Sequence, residues 1–343
     1  MAAASMSEFG GHRAPTRVAR ARRDLDTPLH RQVLHGIETL ALATALDDTA
    51  PLPTEAQLCE LFGVSRGTIR KATETLVRRG LLHAEVGRGT FVDKREQVRA
   101  IVRARLVEVA IPDSRFGLDI THFVPDFVGS DRCTERVGEL ASWNDASVVF
   151  VAPDNSLAAL RHAALDAGKT VLVPTYGMQR GIVRLSADVP PDQRRFAATL
   201  DGLETFGTRL DLDALAAVGR IDLILTGATA VTQSGAHVGG GQAYLDLEWG
   251  LLAELDLVAA STPTVCIVHD CQLIDAPLNP GRFGITIDTV VTPQGTHHTE
   301  CPWPRPTGIV WEQLDGRLFD ELAYLDALAQ RRTSPLRFER NSA

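Results

Sequence analysis

The sequence is poor in the residues that build crosslinks, membrane spans and zinc sites. It has five cysteines in 343 residues: Cys59, Cys133, Cys266, Cys271 and Cys301. The count is odd and no two form a C-x-x-C pair, which argues against a disulfide framework and a structural zinc centre. A reduced, cytoplasmic setting follows as the expectation. No apolar run approaches the roughly 20 residues needed to cross a bilayer, and the N-terminus has no apolar signal core, so no membrane partner is expected. Neither a dinucleotide fingerprint nor a P-loop ending in G-K-[ST] is present. No internal repeat or low-complexity tract stands out. At 44% hydrophobic and 23% charged residues, the composition is that of an ordinary globular protein.

The length predicts two domains, and the charge divides the same way. Residues 1–105 hold 17 Lys and Arg against 12 Asp and Glu, whereas the remainder holds 18 against 31. A net charge of −8 therefore conceals a basic first third, and the local field decides what binds. The expected organisation is a disordered basic tail (1–26), a small helical domain (27–93), a connecting helix (94–105), an α/β domain (106–330) and a loose tail (331–343). Arg13, Arg17, Arg20, Arg22 and Arg23 mark the first tail, which reads alternatively as an arm touching phosphate.

An amphipathic helix is predicted after Pro28, with Leu29, Val33, Ile37 and Leu40 on one face. Thr54 followed by Gln57 reads as a capping box opening a second helix, and Gly63 closes it. Ser65 caps a third helix, Arg66 to about Arg79, whose buried stripe is Ile69, Ala72 and Leu76. Arg66, Thr68, Arg70 and Lys71 fall outside that stripe in its first turns. Gly80 stops it. Two β-rich stretches, Leu81 to Val86 and Thr90 to Val92, meet at Gly87-Arg88-Gly89 and predict a hairpin. Helix, helix, turn, helix, hairpin is a winged helix-turn-helix. The start of its last helix enters the major groove, where Arg reads guanine edges, and Arg88 extends from the wing.

The segment "LPTEAQLCELFGVSRGTIRKATETLVRRGLL" followed by "GRGTFV" resembles the GntR family of bacterial regulators. The resemblance implies a homodimer on a palindromic double-stranded DNA operator. It places Glu55, Arg66, Thr68, Arg70 and Gly89 near DNA, with Ser65, Lys71 and Arg88 added by the helix and wing positions. Ala56 stands where the family usually has Arg.

Beyond residue 105 strands alternate with helices. Strands are predicted at Ser147 to Ala152, "KTVLVP", "IDLILTG", "TVCIV" and "IDTVVTP", with a helix from Asn155 to Ala167. This alternation predicts a mostly parallel sheet covered on both faces. Gly239, Gly240 and Gly241 lie between a strand and a helix, where backbone N–H groups can approach phosphate. Asp246 and Glu248 in the first turn suit either magnesium ligation or the helix dipole. His297 and His298, adjacent on a strand, point to opposite faces and are not expected to share a metal.

The loop "GAHVGGGQAYLDLE", with "HFVPDFVGSDRC", "APDNSLAALRHAALDAGKTVLVPT", "GRIDLILTGATAVT", "VHDCQLID" and "IDTVVTP", resembles 5-formyltetrahydrofolate cyclo-ligase. It is most similar to the branch of methenyltetrahydrofolate synthetase domain-containing proteins. The resemblance implies an α/β fold shared with ribose-5-phosphate isomerase and CoA transferases, and ATP- and magnesium-dependent closure of 5-formyltetrahydrofolate. It implies that Arg95 and Arg99 contact phosphate, that Gly239, Gly240 and Gly241 cradle it, that Tyr244 borders the pocket and that Asp246 helps hold Mg2+. Arg161 and Lys169 are weaker phosphate candidates.

His237 stands where the family's loop has Arg, Ala243 replaces its third glycine, and Phe283 and Gly284 replace a His-Asp pair near Asp288. A mostly neutral His is a poorer phosphate clamp than Arg. The expectation is a DNA-binding regulator whose second domain senses a nucleotide or folate-like ligand. The alternative is an active cyclo-ligase, or a related ATP-dependent ligase, that also binds DNA.

Overall fold

The structure is a computed structural model that describes residues 20–22, 26–113, 117, 120, 123–175, 178–240, 244–280, 284–314 and 324–333. The chain divides into two units, Met1–Arg105 with Asp275–Leu278, and Leu106–Ile274 with Asn279–Ala343. The tail expectations for residues 1–19, 23–25 and 334–343 lie outside the described residues.

In the first unit α1 (Leu29–Ala43) buries Val33, Ile37 and Ala41, one residue per turn. Pro28 is its N-cap rather than its first helical residue, with extended ψ. In α2 (Glu55–Phe62) Thr54 and Gln57 form the reciprocal capping box, and Gly63 closes it in the left-handed conformation at φ 68°. Ser65 caps α3 (Arg66–Arg78), accepting the Thr68 N–H. Ile69, Ala72 and Leu76 close the core against α1. β1 (Leu82–Glu85) pairs antiparallel with β2 (Gly89–Val92), from Leu82 opposite Val92 to Glu85 opposite Gly89. The helix α4 (Lys94–Leu106) follows. It is held to the end of α1 by Gln97, whose buried amide donates to Ala41 O at 3.0 Å and Thr44 O at 2.5 Å. Lys94 Nζ donates to Ala45 O at 2.8 Å.

The second unit opens with a ribbon, β3 (Ala110–Ile111) on β4 (Asp126–Phe127), then α5 (Ser130–Gly138) and α6 (Ala141–Asn144). Then come β5 (Val148–Val151), a 3-10 turn at Asn155–Leu157, α7 (Ala158–Asp166), β6 (Thr170–Pro174) and β7 (Ile182–Leu185). Next are α8 (Arg194–Ala197), α9 (Leu200–Phe206), β8 (Thr208–Arg209), α10 (Leu212–Ala216) and β9 (Leu223–Thr226). A short sheet of β10 (Ala230–Thr232), β11 (His237–Val238) and β13 (Leu273–Ile274) brackets α11 (Tyr244–Glu254) and β12 (Thr264–Ile267). The last elements are β14 (Thr289–Val291), β15 (Thr296–His298) and α12 (Leu325–Thr333).

The main sheet runs β15-β14-β12-β9-β5-β6-β7-β8. β14, β12, β9, β5 and β6 are parallel, while β7, β8 and β15 add antiparallel edges. Both faces are buried, because alternate residues feed separate cores. Val149, Val151, Leu223 and Leu225 face one, and Phe150, Leu172 and Ile224 the other. The chain passes from β5 to β6 on one side and from β9 to β12 on the other. The β5–β9 boundary is therefore the topological switch point, where open α/β sheets present a crevice at the carboxyl ends of their strands.

Candidate nucleic-acid interface and ligand site

In the winged domain two capped helices, α2 and α3, carry the residues expected at DNA. Arg66, Arg70 and Lys71 are exposed and Thr68 is half-buried. Thr68 Oγ1 lies 3.1 Å from Ser65 Oγ, so the cap residue also fixes the Thr68 side chain. Glu55, at the first position of α2, accepts from Arg70 Nε and Nη2 at 3.2 Å each. That two-point clasp orients the guanidinium at the start of α3, and Glu55 holds Arg70 protonated by raising its pKa. At the wing, Arg88 pairs with Glu85 and lies 5.6 Å from the Phe91 ring centre. Gly89 has φ 126°, and a Cβ there would meet Pro51 Cβ at 3.0 Å, so the hairpin requires glycine at that point.

In the second unit the switch point gathers groups from β5, β9 and α11. Asp154, just beyond β5, accepts the Gly227 N–H at 3.1 Å from the end of β9. His237 Nε2 lies 3.0 Å from Gly227 O. A carbonyl only accepts, so Nε2 carries the proton, and the residue that replaces the family's loop Arg is engaged with the sheet. Gly239 packs beside this imidazole, whose Cε1 an added Cβ would meet at 3.3 Å; at Gly240 an added Cβ meets nothing within 4 Å. Gly241 and Ala243 lie outside the described residues. Tyr244 begins α11, half-buried.

Asp246 Oδ1 accepts the Ile285 N–H at 2.8 Å. Two residues on, Glu248 is 4% exposed, and burial, then the charges of Asp154 and Asp246, push its pKa up to about 8. Asp154 is raised to about 6, chiefly by burial of its carboxyl group. The switch point therefore carries a carboxyl that is largely protonated at neutral pH beside two carboxylates.

Two expected residues, Arg161 and Lys169, are structural in the fold. Arg161 is fully buried and donates to Ala198 O at 2.7 Å, Ala152 O at 2.7 Å and Asp154 O at 3.1 Å. Lys169 is buried on Trp143 O and Ala146 O. Both hold the fold together through backbone carbonyls instead of facing solvent or phosphate. Arg95 and Arg99 lie on α4, with Arg99 paired to Glu96 one turn back. His269 caps a short turn, its Nδ1 accepting the Cys271 N–H, and burial lowers its pKa. Asp288 accepts from Arg305 at 2.6 Å and from Thr264, and the Arg305 guanidinium lies 5.2 Å from the Trp249 ring centre. His297 and His298 stand on the exposed edge strand β15. Asp154 and Gln97 escaped sequence reading because nothing in hydrophobic periodicity distinguishes an inward polar residue from a solvated one.

The 5-formyltetrahydrofolate cyclo-ligase family profile matches residues 92–293. The chain belongs to this family. Residues 29–92 match the bacterial regulatory proteins of the gntR family. The chain is thus a GntR DNA-binding domain joined to a cyclo-ligase-type α/β domain. The methenyltetrahydrofolate synthase domain-containing protein of Bos taurus is 31% identical over 217 residues, 62% of this chain and 56% of that protein. The Homo sapiens protein of the same description is 31% identical over 220 residues, 63% of this chain and 57% of its own length. The chain spans about half the length of these relatives. The HTH-type transcriptional repressor NagR of Bacillus subtilis is 39% identical over 74 residues, 22% of this chain and 30% of that repressor. Among solved structures, the Aquifex aeolicus 5,10-methenyltetrahydrofolate synthetase is 14% identical over 64% of this chain and 99% of its own, with a TM-score of 0.38. The N-terminal domain of AraR in complex with an operator is 42% identical over 20% of this chain and 96% of its own, with a TM-score of 0.19.

The family implies ATP and magnesium. Among the described residues no three His, Cys, Asp or Glu form a group that could hold a metal ion by themselves, so magnesium there would rest on one or two carboxylates, Asp246 first, and on the phosphate oxygens of a bound nucleotide. Among the described residues no helix is long and apolar enough to cross a membrane.

Proposed function

We propose that the chain is a cytoplasmic transcriptional regulator that binds a palindromic operator as a homodimer. Its cyclo-ligase-family domain binds a nucleotide or folate-like ligand instead of completing the family's reaction. The observation that carries this reading is the glycine loop itself. His237, in the position of the phosphate-clamping Arg, is hydrogen-bonded to Gly227, so the permanent cation of the family's loop is replaced by an imidazole engaged with the sheet. A triphosphate held for transfer needs charge neutralised at the loop. A ligand that is only sensed needs binding alone. An added Cβ at Gly240 meets nothing within 4 Å, and a glycine-rich loop leading into a helix, here the one begun by Tyr244, lets backbone N–H groups approach an anionic group. In the winged domain, Arg66, Thr68, Arg70, Lys71 and Arg88 make the DNA contacts, and Ser65 and Glu55 orient them.

The test mixes the full chain with magnesium-ATP and 5-formyltetrahydrofolate and follows methenyltetrahydrofolate absorbance beside a thermal-shift titration. The expected result is no turnover together with stabilisation by ATP or the folate. Turnover that disappears in Asp246→Ala would make the protein an enzyme with a DNA-binding arm.

A further inference from the structure

The second unit also holds a pocket of about 300 Å³ at the carboxyl end of β6, lined by residues that neither the DNA interface nor the glycine loop uses. Its walls are Pro174 from β6, Val183 from β7, and Leu200 and Leu203 from α9. Thr175 lines it too, but the Thr175 hydroxyl donates to Gly181 O and accepts the Arg180 N–H, both at 3.0 Å, so its polar capacity is spent on the turn. The charged lining residues are Arg180, Glu204 and Arg209, and Gln179 adds an uncharged amide.

This pocket is built into the fold. A Cβ on Gly202 would stand 1.8 Å from Phe196 O, and one on Gly207 would stand 2.4 Å from Leu203 O. Glycine at these points lets α9 lie directly on α8 and turn tightly into β8. Buried Arg161 ties Ala198, in the α8–α9 turn, to the end of β5. The outer wall is therefore set before any ligand arrives, which lowers the ordering cost of binding.

Charge selects the ligand. Arg180 Nη1 donates to Glu204 Oε2 at 2.9 Å, and that pair is neutral as a unit. Arg209 is exposed and forms no ion pair among the described residues. The lining thus has one uncompensated positive charge above an apolar floor. Glu204 at the same mouth opposes a multiply charged group. We propose that this pocket binds a small molecule with a one- or two-ring apolar body and a single negative charge. The volume matches the lower range of small-ligand sites, where a few placed polar groups orient an apolar body. A nucleoside triphosphate, with several charges, is disfavoured by the same argument, and no lining residue belongs to the glycine loop, so the proposal does not depend on the loop's role.

The experiment titrates the full chain with 8-anilinonaphthalene-1-sulfonate, which has aromatic rings and one sulfonate, and with the uncharged N-phenyl-1-naphthylamine. One saturable site is expected for the sulfonate, with the uncharged probe weaker by at least about tenfold. Leu200→Trp, which fills the pocket, removes binding. Arg209→Gln, an exposed change that the fold tolerates, weakens the sulfonate by about tenfold and leaves the uncharged probe unchanged. Excess ATP does not displace the sulfonate. Equal affinity for the two probes, undiminished binding in Arg209→Gln, or displacement by ATP would each overturn the proposal.

Discussion

Glu248→Gln gives the most quantitative check on the switch-point electrostatics. Glu248 is buried, and its pKa lies near 8 against an ordinary 4.5. A carboxyl raised in the folded state keeps its proton there while the unfolded chain releases it, so stability falls as pH rises from about 4.5 and levels off above about 8. The slope is about 1.4 kcal/mol per pH unit for one such group. From pH 5 to pH 8 the wild type therefore loses about 4 kcal/mol that the glutamine variant keeps. Asp154, raised to about 6 for the same reason, is coupled to Glu248 through its charge, so part of the difference is read through Asp154. All four tryptophans, Trp143, Trp249, Trp303 and Trp311, lie in the second unit, so their emission follows its unfolding alone. The Tm gap between variant and wild type is expected to widen by about 8–16 °C between pH 5 and pH 8 for a domain of this size. A gap that stays constant across that range would refute the burial of a protonated carboxyl beside Asp154 and Asp246.

The two-site variant Arg66→Ala plus Arg70→Ala is expected to abolish operator binding, since each major-groove contact contributes roughly 1–3 kcal/mol of discrimination; unchanged affinity in a gel-shift titration at fixed salt would remove these residues from the reading head. Gly202→Ala raises helix propensity by up to about 1 kcal/mol, yet its Cβ would collide with Phe196 O, so a net loss of about 1–3 kcal/mol is expected in urea denaturation read by tryptophan emission. Gln97→Ala removes the amide donor to Thr44 O and one of two donors to Ala41 O, the other being the Thr44 N–H, and is expected to cost about 1–3 kcal/mol in the winged domain's calorimetric transition.

Much of the winged domain was legible because its signals are local. Thr54 and Gln57, Gly63, Ser65 and Gly89 each state a backbone conformation by residue type, and the structure places each as a cap or turn. The parallel strands were legible as apolar runs because burial on both faces leaves only an occasional threonine, such as Thr226 and Thr264, among their apolar residues. Strands β7, β8, β10 and β13 were not read, since short strands of mixed polarity or few residues lack that signal. Arg161 and Lys169 misled because sequence presents Arg and Lys as surface residues; only the tertiary fold brings carbonyls from Ala152, Ala198, Trp143 and Ala146 to meet them. Asp154 was missed for the reverse reason: it becomes part of a site only when β9 brings Gly227 to it.

The most direct test of coupling between ligand and operator is fluorescence anisotropy. The full chain is titrated onto an operator selected by the protein from a random DNA pool, at fixed salt, with and without ATP and 5-formyltetrahydrofolate. The account predicts sequence-specific binding whose Kd changes by about 5-fold or more when ligand is present. That change is lost in Gly240→Asp, which places a carboxylate in the loop. No sequence-specific DNA binding, or an unchanged Kd accompanied by steady conversion of the folate, would contradict it.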